Sequence, residues 1–188
     1  IGFLINGLVG RFLPKNVSGW LGTAAVLGSF VLAVMNFNLL TAEAGQLQSI
    51  HQKLFTFLHV GSLHVDFSFQ FDRLSAVMTL IITGIGFLIH IYSIGYMSHD
   101  EGFARFFTYL NLFIFFMLLL VLGNNYLIMF VGWEGVGLCS YLLIGFWFKK
   151  TEYNNAAKKA FIMNRIGDLG FLLGIILIFV TYGTITYG

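Results

Sequence analysis

The sequence has little cysteine, proline or charge for its 188 residues. The single cysteine, Cys139, excludes an internal disulfide framework and any metal cluster built on cysteines. The single proline, Pro14, indicates few irregular linkers. Charged residues make up 10% of the chain, against about a quarter in a soluble domain. Because the net charge of +2 is not gathered in any block, we expect no nucleic-acid partner.

Apolar residues take the place of the missing charge. The chain is 58% hydrophobic and 18% aromatic, with a mean hydropathy of +0.87, which excludes disorder and argues strongly against a soluble fold. Several largely uncharged stretches reach the roughly 20 residues that cross a bilayer core, where helices satisfy their own backbone hydrogen bonds. The predicted helices are residues 17–37, 74–98, 106–123, 126–148 and 156–182, with Asn124-Asn125 separating the third from the fourth.

The first apolar segment, residues 1–13, is too short to span a bilayer and begins with Ile1 instead of Met, so we expect a helix truncated at its start. A signal peptide is the alternative, but no basic flank precedes the segment and no small-residue cleavage site follows it. The chain is therefore predicted to be an all-α polytopic membrane protein. It has about six transmembrane helices and one extramembrane β-hairpin between helices two and three.

This hairpin belongs to the longest connection in the chain. We divide the sequence into residues 1–37 with the first two helices, a periplasmic loop at 38–72, and residues 73–188 with helices three to six. Residues 41–53 are predicted to form a short interfacial helix. The alternating apolar residues that follow predict two strands around a turn at Gly61-Ser62.

Basic residues predict the orientation. If the connection after the first helix is cytoplasmic, seven basic residues fall on that side and two, Lys53 and Arg73, on the other. The seven are Arg11, Lys15, Arg105, Lys149, Lys150, Lys158 and Lys159. The hairpin is then periplasmic, and we expect a multi-pass protein of a bacterial inner membrane in preference to a mitochondrial or thylakoid one.

Glu134 is the strongest candidate site residue, because it lies inside an apolar helix. A carboxylate at that depth costs roughly 2.5 to 3.5 kcal/mol on insertion scales, so an intramembrane acid is a functional candidate by default. Gly132, Gly135 and Gly137 surround it and weaken the helix, but they let another helix or water come close. Two interpretations stay open: a titrating proton carrier, or a static ion pair that joins two helices.

The last predicted helix carries a second polar stripe, Lys158, Phe161, Arg165 and Asp168. Arg165 and Asp168 are three residues apart, close enough to neutralise each other within the helix. A structural pair is the simplest account. A place one to two turns inside the cytoplasmic boundary also allows a proton entry or relay role.

Other polar residues are weaker candidates. His90 is interpreted as a hydrogen-bonded core histidine in preference to a proton relay. His59 and His64 flank the predicted turn, but the sequence does not place enough further ligands nearby for a zinc site, so we predict no metal. Asp72, three residues before Ser75, is explained by an N-cap.

Four segments carry a resemblance to a known family. They are GWEGVGLCSYLLIGFW at residues 132–147, KAFIMNRIGD at 159–168, GFLIHIY at 86–92 and EGFARFF at 101–107. With them, nearly the whole chain resembles the antiporter-like membrane subunits of respiratory complex I. That resemblance implies a proton-translocating subunit of NADH:quinone oxidoreductase, driven by quinone reduction elsewhere, with other membrane-arm subunits as partners and no cofactor in this chain.

The resemblance also implies residue roles. Glu134 would pair with a lysine on a later helix, and the helices carrying Arg165 and Asp168 would line a channel. The chain stops at Gly188, within the start of the first antiporter-like repeat and before that lysine. A multisubunit cation/proton antiporter or a membrane-bound hydrogenase subunit would use the same fold and glutamate. A structural scaffold that transports nothing is an alternative of another class.

Overall fold

Long helices and one strand pair make up the molecule, which we describe from a computed structural model at residues 1–42, 49–60 and 63–187. The helices are α1 (Gly2–Val9), α2 (Lys15–Ala42), α3 (Arg73–Tyr96), α4 (Phe103–Leu122), α5 (Tyr126–Ile144) and α6 (Thr151–Tyr182), and the strands are β1 (Ser49–Val60) and β2 (Leu63–Asp72). Five of the described helices, α2 to α6, are long and apolar enough to span a membrane. The predicted fold class, a polytopic helical membrane protein with a hairpin between the second and third helices, is confirmed.

Local signals in the sequence explain where the helices begin and end. The Asn125 side chain accepts a hydrogen bond from the Ile128 N–H at 2.9 Å and caps α5, as expected from the Asn124-Asn125 break. Asp72 and Ser75 form a capping box at the start of α3, which confirms the predicted N-cap. Gly183 ends α6 in the left-handed conformation, with φ of 72°, which glycine adopts without steric cost.

The hairpin is longer than predicted. Its strands pair antiparallel from Ser49 opposite Asp72 to Val60 opposite Leu63. The predicted turn at Gly61-Ser62 lies outside the described residues, and so do 43–48 of the predicted interfacial helix. That helix prediction is wrong at residues 49–53, which belong to β1, because pairing with β2 satisfies their backbone hydrogen bonds.

The bundle brings the connections together at two opposite ends. At one end the Lys15 ammonium donates to the Ser98 carbonyl at 3.0 Å, and the Trp147 indole N–H donates to Asp100 at 2.9 Å. At the other end the Asn125 amide donates to the Asp66 carbonyl of the hairpin at 2.9 Å. These contacts place the loops as the basic-residue pattern requires, with the predicted cytoplasmic connections on one end and the hairpin on the other.

Packing between helices depends on close approach at glycine. A methyl group at Gly135 would overlap the ring of Phe116, and one at Gly132 would overlap the backbone of Leu120. Because both partners lie on α4, the two glycines let α4 and α5 approach closely. The glycines around Glu134 therefore have the packing role that the sequence predicts for small residues.

Candidate functional site

Glu134 lies near the middle of α5, eight residues after Tyr126 and ten before Ile144. At about 1.5 Å per residue these separations correspond to about 12 and 15 Å along the helix. The side chain is 22% exposed and forms an ion pair with Arg165 of α6, between Oε2 and Nη1. Arg165 is thus a charge partner of the glutamate within the described structure.

Arg165 and Asp168 lie near the middle of α6. Arg165 is fourteen residues after Thr151, the first residue of α6, which is about 21 Å along the helix axis. The helix begins five residues earlier than the predicted residue 156. The predicted depth of one to two turns inside the cytoplasmic boundary stays a prediction. Arg165 contacts Glu134, and Asp168 contacts the adjacent Trp133, so both side chains lie at the level of Glu134.

The predicted pairing of Arg165 with Asp168 is present but is not the main one. Arg165 Nη1 lies 3.9 Å from Asp168 Oδ2, at the outer limit of an ion pair, while the same nitrogen contacts Glu134. The arginine thus bridges a carboxylate on each helix. The pair joins α5 to α6 across the interface, where the sequence argument had kept it within one helix.

Asp168 is the most buried charge of this group, with 7% of its side chain exposed. Its Oδ1 atom accepts a hydrogen bond from the indole N–H of Trp133 at 2.8 Å. Trp133 was not among the residues predicted from the sequence. The signal was available, because an indole N–H in an apolar helix needs an acceptor, and Trp133 is adjacent to the one acid of that helix.

Aromatic rings surround the charges. The Arg165 guanidinium lies over the ring of Phe161 at 4.7 Å, and Tyr141 of α5 packs on the same ring at 5.4 Å. Trp133 contacts Phe171 with ring centroids 5.7 Å apart. A cation that lies on an aromatic face keeps favourable electrostatic contact without water. The Phe161 ring therefore gives the guanidinium, whose side chain is 46% exposed, a favourable contact beside its two carboxylates.

We call Glu134, Arg165, Asp168 and Trp133 the α5–α6 charge cluster. Its two carboxylates and one guanidinium leave a net charge of −1 when all three groups are ionised. Within the described residues, Oε1 of Glu134 has no hydrogen-bond partner, whereas both oxygens of Asp168 are engaged. Glu134 is therefore the acid with an oxygen available to a proton or to a further cation.

Lys158 does not join the cluster. It is exposed, and it makes no ion pair with any residue in the described ranges. Two turns of α6 separate it from Arg165, so its predicted relay role is not supported by a contact here. That role stays a prediction.

His90 has both ring nitrogens engaged inside the bundle. Nδ1 lies 2.7 Å from the Gly86 carbonyl, and Nε2 lies 3.2 Å from the Asn111 amide nitrogen of α4. A carbonyl only accepts and an amide NH₂ only donates, so Nδ1 carries the proton and the ring is neutral. This geometry supports the hydrogen-bonded core histidine over the proton relay. No group of three or more His, Cys, Asp or Glu side chains that could hold a metal occurs among the described residues.

Charged groups at the predicted cytoplasmic end differ from those in the cluster. The pKa of Asp100 is lowered by the hydrogen bond from the Trp147 indole and by a second one from the Gly102 N–H. Asp100 lies in the connection between α3 and α4, where water screens its charge. This carboxylate therefore acts locally at the surface, in contrast to those of the α5–α6 charge cluster.

Comparison with known proteins bears on the fold and the family of the chain. A family model for the N-terminus of chain 5 of NADH-ubiquinone oxidoreductase (complex I) matches residues 57–107, and one for the transmembrane region of NADH:quinone oxidoreductase and Mrp antiporters matches residues 123–187. The solved Mrp complex from a Dietzia species superposes with a TM-score of 0.79 at 26% identity, over 98% of this chain and 19% of that one.

Curated relatives are closer in sequence. NADH-quinone oxidoreductase subunit L of Mycobacterium tuberculosis is 52% identical over 94% of this chain, and NADH-ubiquinone oxidoreductase chain 5 of Allomyces macrogynus is 44% identical over 98%. The fold and the family models thus define a multi-pass membrane protein of the antiporter-like class. Within that class the chain belongs to the family of complex I subunit L and chain 5, which confirms the resemblance. It spans 28% and 29% of the length of these two relatives.

Proposed function

We propose that the chain forms part of a proton-translocating membrane subunit of NADH:quinone oxidoreductase, with Glu134 as the group that accepts and releases the proton. The observation that carries this proposal is the net charge of −1 in the α5–α6 charge cluster. An uncompensated charge in a medium of low dielectric constant is costly, so the cluster favours binding one positive charge. A proton on Glu134 and a lysine brought close to Glu134 are the two ways to supply it.

The proton and the lysine do not neutralise Glu134 at the same time. Alternation between the two makes Glu134 take up and release a proton. When a lysine approaches Glu134, the cluster is neutral with the carboxylate ionised; when it withdraws, the carboxylate is neutralised by taking up a proton. The family resemblance implies such a lysine on a later helix. Arg165 does not alternate in this scheme and stays beside Asp168 and the Phe161 ring.

The driving force would come from outside this chain. Redox chemistry on other subunits of the complex would change the separation of Glu134 and the lysine, which couples two distant sites through one equilibrium. The relatives are subunits of NADH-quinone oxidoreductase, which supports a role in that enzyme, with translocation and no redox chemistry assigned to this chain. Its partners would be the neighbouring membrane-arm subunits and the lipid bilayer, in a bacterial inner membrane.

Transport by a multisubunit cation/proton antiporter is the second candidate. It is favoured by the superposition on the Mrp complex and by the family model that covers both classes. Both functions would use the same cluster, and they differ in the coupled ion and in the partners. Copurification with quinone-reducing subunits supports the first, and sodium-dependent proton exchange without them supports the second.

The test is Glu134→Gln in the full-length protein within its complex. The substitution keeps the size and one hydrogen-bonding oxygen, and Arg165 retains Asp168 as its counter-ion, so the complex should assemble. Proton uptake by reconstituted vesicles should fall at least about tenfold, which corresponds to the loss of about 1.4 kcal/mol or more in the transport step. Glu134→Asp, which shortens the reach by one methylene, should retain part of the activity.

The matched control is Glu152→Gln, an exposed acid in the first turn of α6. It should leave proton uptake unchanged when uptake is normalised to assembled complex on a native gel. Normal uptake by an assembled Glu134→Gln complex would refute the carrier role. Failure of assembly in Glu134→Gln, with Glu152→Gln intact, would favour the static ion pair.

A further inference from the structure

Two histidines face each other at the end of the hairpin, far along the chain from the α5–α6 charge cluster. His59 of β1 is the cross-strand partner of His64 of β2. Their Nε2 atoms are 3.0 Å apart and their ring centroids 3.9 Å apart, and both side chains are exposed. The function proposed above does not use either residue.

The distance between the two nitrogens suits a chelate. Imidazole nitrogens bind metals such as zinc at about 2.0 to 2.1 Å, and two such bonds to atoms 3.0 Å apart enclose an angle of about 94°. That angle is close to the roughly 90° between neighbouring ligands in tetragonal coordination, the geometry of Cu²⁺ and Ni²⁺ with nitrogen ligands. Without metal, the Nε2–H of one ring donates to the Nε2 of the other.

We propose that His59 and His64 form a two-coordinate protein site for a divalent transition metal ion, and that Cu²⁺ binds there most tightly. Imidazole nitrogen suits this class of ion, and affinities for a given nitrogen site rise along the series to Cu²⁺. Water completes the coordination, because the pair is exposed. The site takes an exchangeable ion from the side of the membrane that the hairpin faces.

Neighbouring groups add no third ligand. Asp66, two residues after His64 on the same face of β2, already accepts from the Lys53 ammonium at 2.7 Å and from the Thr56 hydroxyl at 2.9 Å. No larger group of His, Cys, Asp or Glu forms among the described residues. An open site with two ligands differs from the closed four-ligand zinc site that the sequence argued against.

Strand pairing gives the site its preorganisation. The antiparallel register keeps the two histidine backbones directly opposite each other. Once one ring nitrogen has bound the metal, the other therefore binds from within the same molecule. Linking two binding groups in this way raises affinity about 10² to 10⁴-fold. A single exposed histidine lacks that gain.

The hairpin contains its own matched control. His51 is also exposed on β1, but its cross-strand partner is Gln70, and its Nε2 contacts the Ser49 hydroxyl at 2.7 Å.

Cu²⁺ alone would be titrated into the purified complex that contains the full-length chain, and binding would be followed by calorimetry. Electron paramagnetic resonance would count the coordinated nitrogens.

We expect one site with two equivalent nitrogens in the unmodified protein and in His51→Ala. His59→Ala and His64→Ala should each weaken binding about a hundredfold and leave a single-nitrogen signal. His64→Asn keeps a polar partner for His59 and should lose binding equally, which excludes a folding defect as the cause. Equal affinity in all variants, a single nitrogen in the unmodified protein, or loss of binding in His51→Ala would overturn the proposal.

Discussion

Two tryptophans show how much the surroundings of one hydrogen bond decide its role. Trp133 donates to Asp168 at 2.8 Å in the middle of the bundle, and Trp147 donates to Asp100 at 2.9 Å at its end. The two bonds have the same donor and acceptor types and nearly the same length. Asp168 is buried, whereas Asp100 lies in an exposed connection, so only the first bond replaces lost hydration of a charge.

Replacing each indole by a phenyl ring separates these roles. Trp133→Phe should destabilise the full-length protein by about 1.5 to 3 kcal/mol, the usual contribution of a hydrogen bond to a charged group, and should lower proton uptake. Trp147→Phe should cost about 1 kcal/mol or less, because water replaces the donor. Denaturant unfolding in detergent measures the first quantity and vesicle assays the second. Equal losses in the two variants would contradict a special role for Trp133.

Single residues of the site were partly predictable. Glu134, Arg165 and Asp168 stand out in the sequence because charge is rare in this chain and its cost in lipid is high. The main ion-pair partner of Arg165 was not predictable from the sequence. Residue spacing indicates neighbours within α6, but it carries no information about the glutamate on α5. Lys158 was included for its place in the stripe, although the structure leaves it outside the cluster.

At the scale of helices and strands, the contact between α4 and α5 rests on the missing side chains of two glycines. Gly135→Ala should destabilise the protein by about 1 to 3 kcal/mol, because its methyl group overlaps the ring of Phe116 and forces the helices apart. Gly28→Ala in α2 is the control, since nothing lies within 4 Å of a methyl group there. It should be neutral or slightly stabilising, as alanine favours helix by about 1 kcal/mol over glycine. Thermal unfolding in detergent compares the two, and a neutral Gly135→Ala would show that the helices can separate without cost.

The start of α3 makes stability depend on pH. Burial raises the pKa of Asp72, but the hydrogen bonds from Ser75 and from the Leu74 and Gln70 groups outweigh it, so the pKa is below its usual 3.8. A lowered carboxyl pKa contributes stability above the unfolded-state value, and that contribution is lost as the pH falls through the folded-state value. The capping carboxylate is thus effective at neutral pH and lost in acid.

Asp72→Asn separates this contribution from the other carboxylates. Asparagine also caps helices, and it does not titrate, so the difference in unfolding free energy between the unmodified protein and the Asp72→Asn variant should shrink or reverse below pH 3.8. Asp72→Ala should lose about 0.5 to 2 kcal/mol at neutral pH. Circular dichroism of unfolding at a series of pH values measures both. A difference that does not vary with pH would mean that the Asp72 charge has no part in the cap.

Elements were more predictable than their limits. Hydropathy and the Asn124-Asn125 break located all five long helices, and alternation located the hairpin. Residues 49–53 were assigned to a helix because their polar composition gives no alternating pattern, yet β2 offers them backbone partners. Strand pairing of this kind depends on residues far apart in the sequence, so a local pattern does not predict it.

The whole molecule has two ends of different composition, and the structure ties each end together. Lys15 reaches Ser98 and Trp147 reaches Asp100 at one end, while Asn125 reaches the hairpin at the other. These contacts within the chain therefore show which loops lie at the same end of the bundle. The positive-inside rule adds which side that is, from seven basic residues against two.

Cysteine labelling in cells tests that orientation. Gln52→Cys in the exposed part of β1 should react with a membrane-impermeant thiol reagent added to intact cells, and Thr151→Cys at the start of α6 should react only after the membrane is opened. The native Cys139 is fully buried and serves as the unreactive background in the parent chain. Because the start of α6 and the hairpin lie at opposite ends of the bundle, the two sites must label from opposite sides if the fold is right. Labelling of both from one side would contradict the fold, whereas exchange of the two sides would leave the fold intact and invert only the orientation that the basic residues predict.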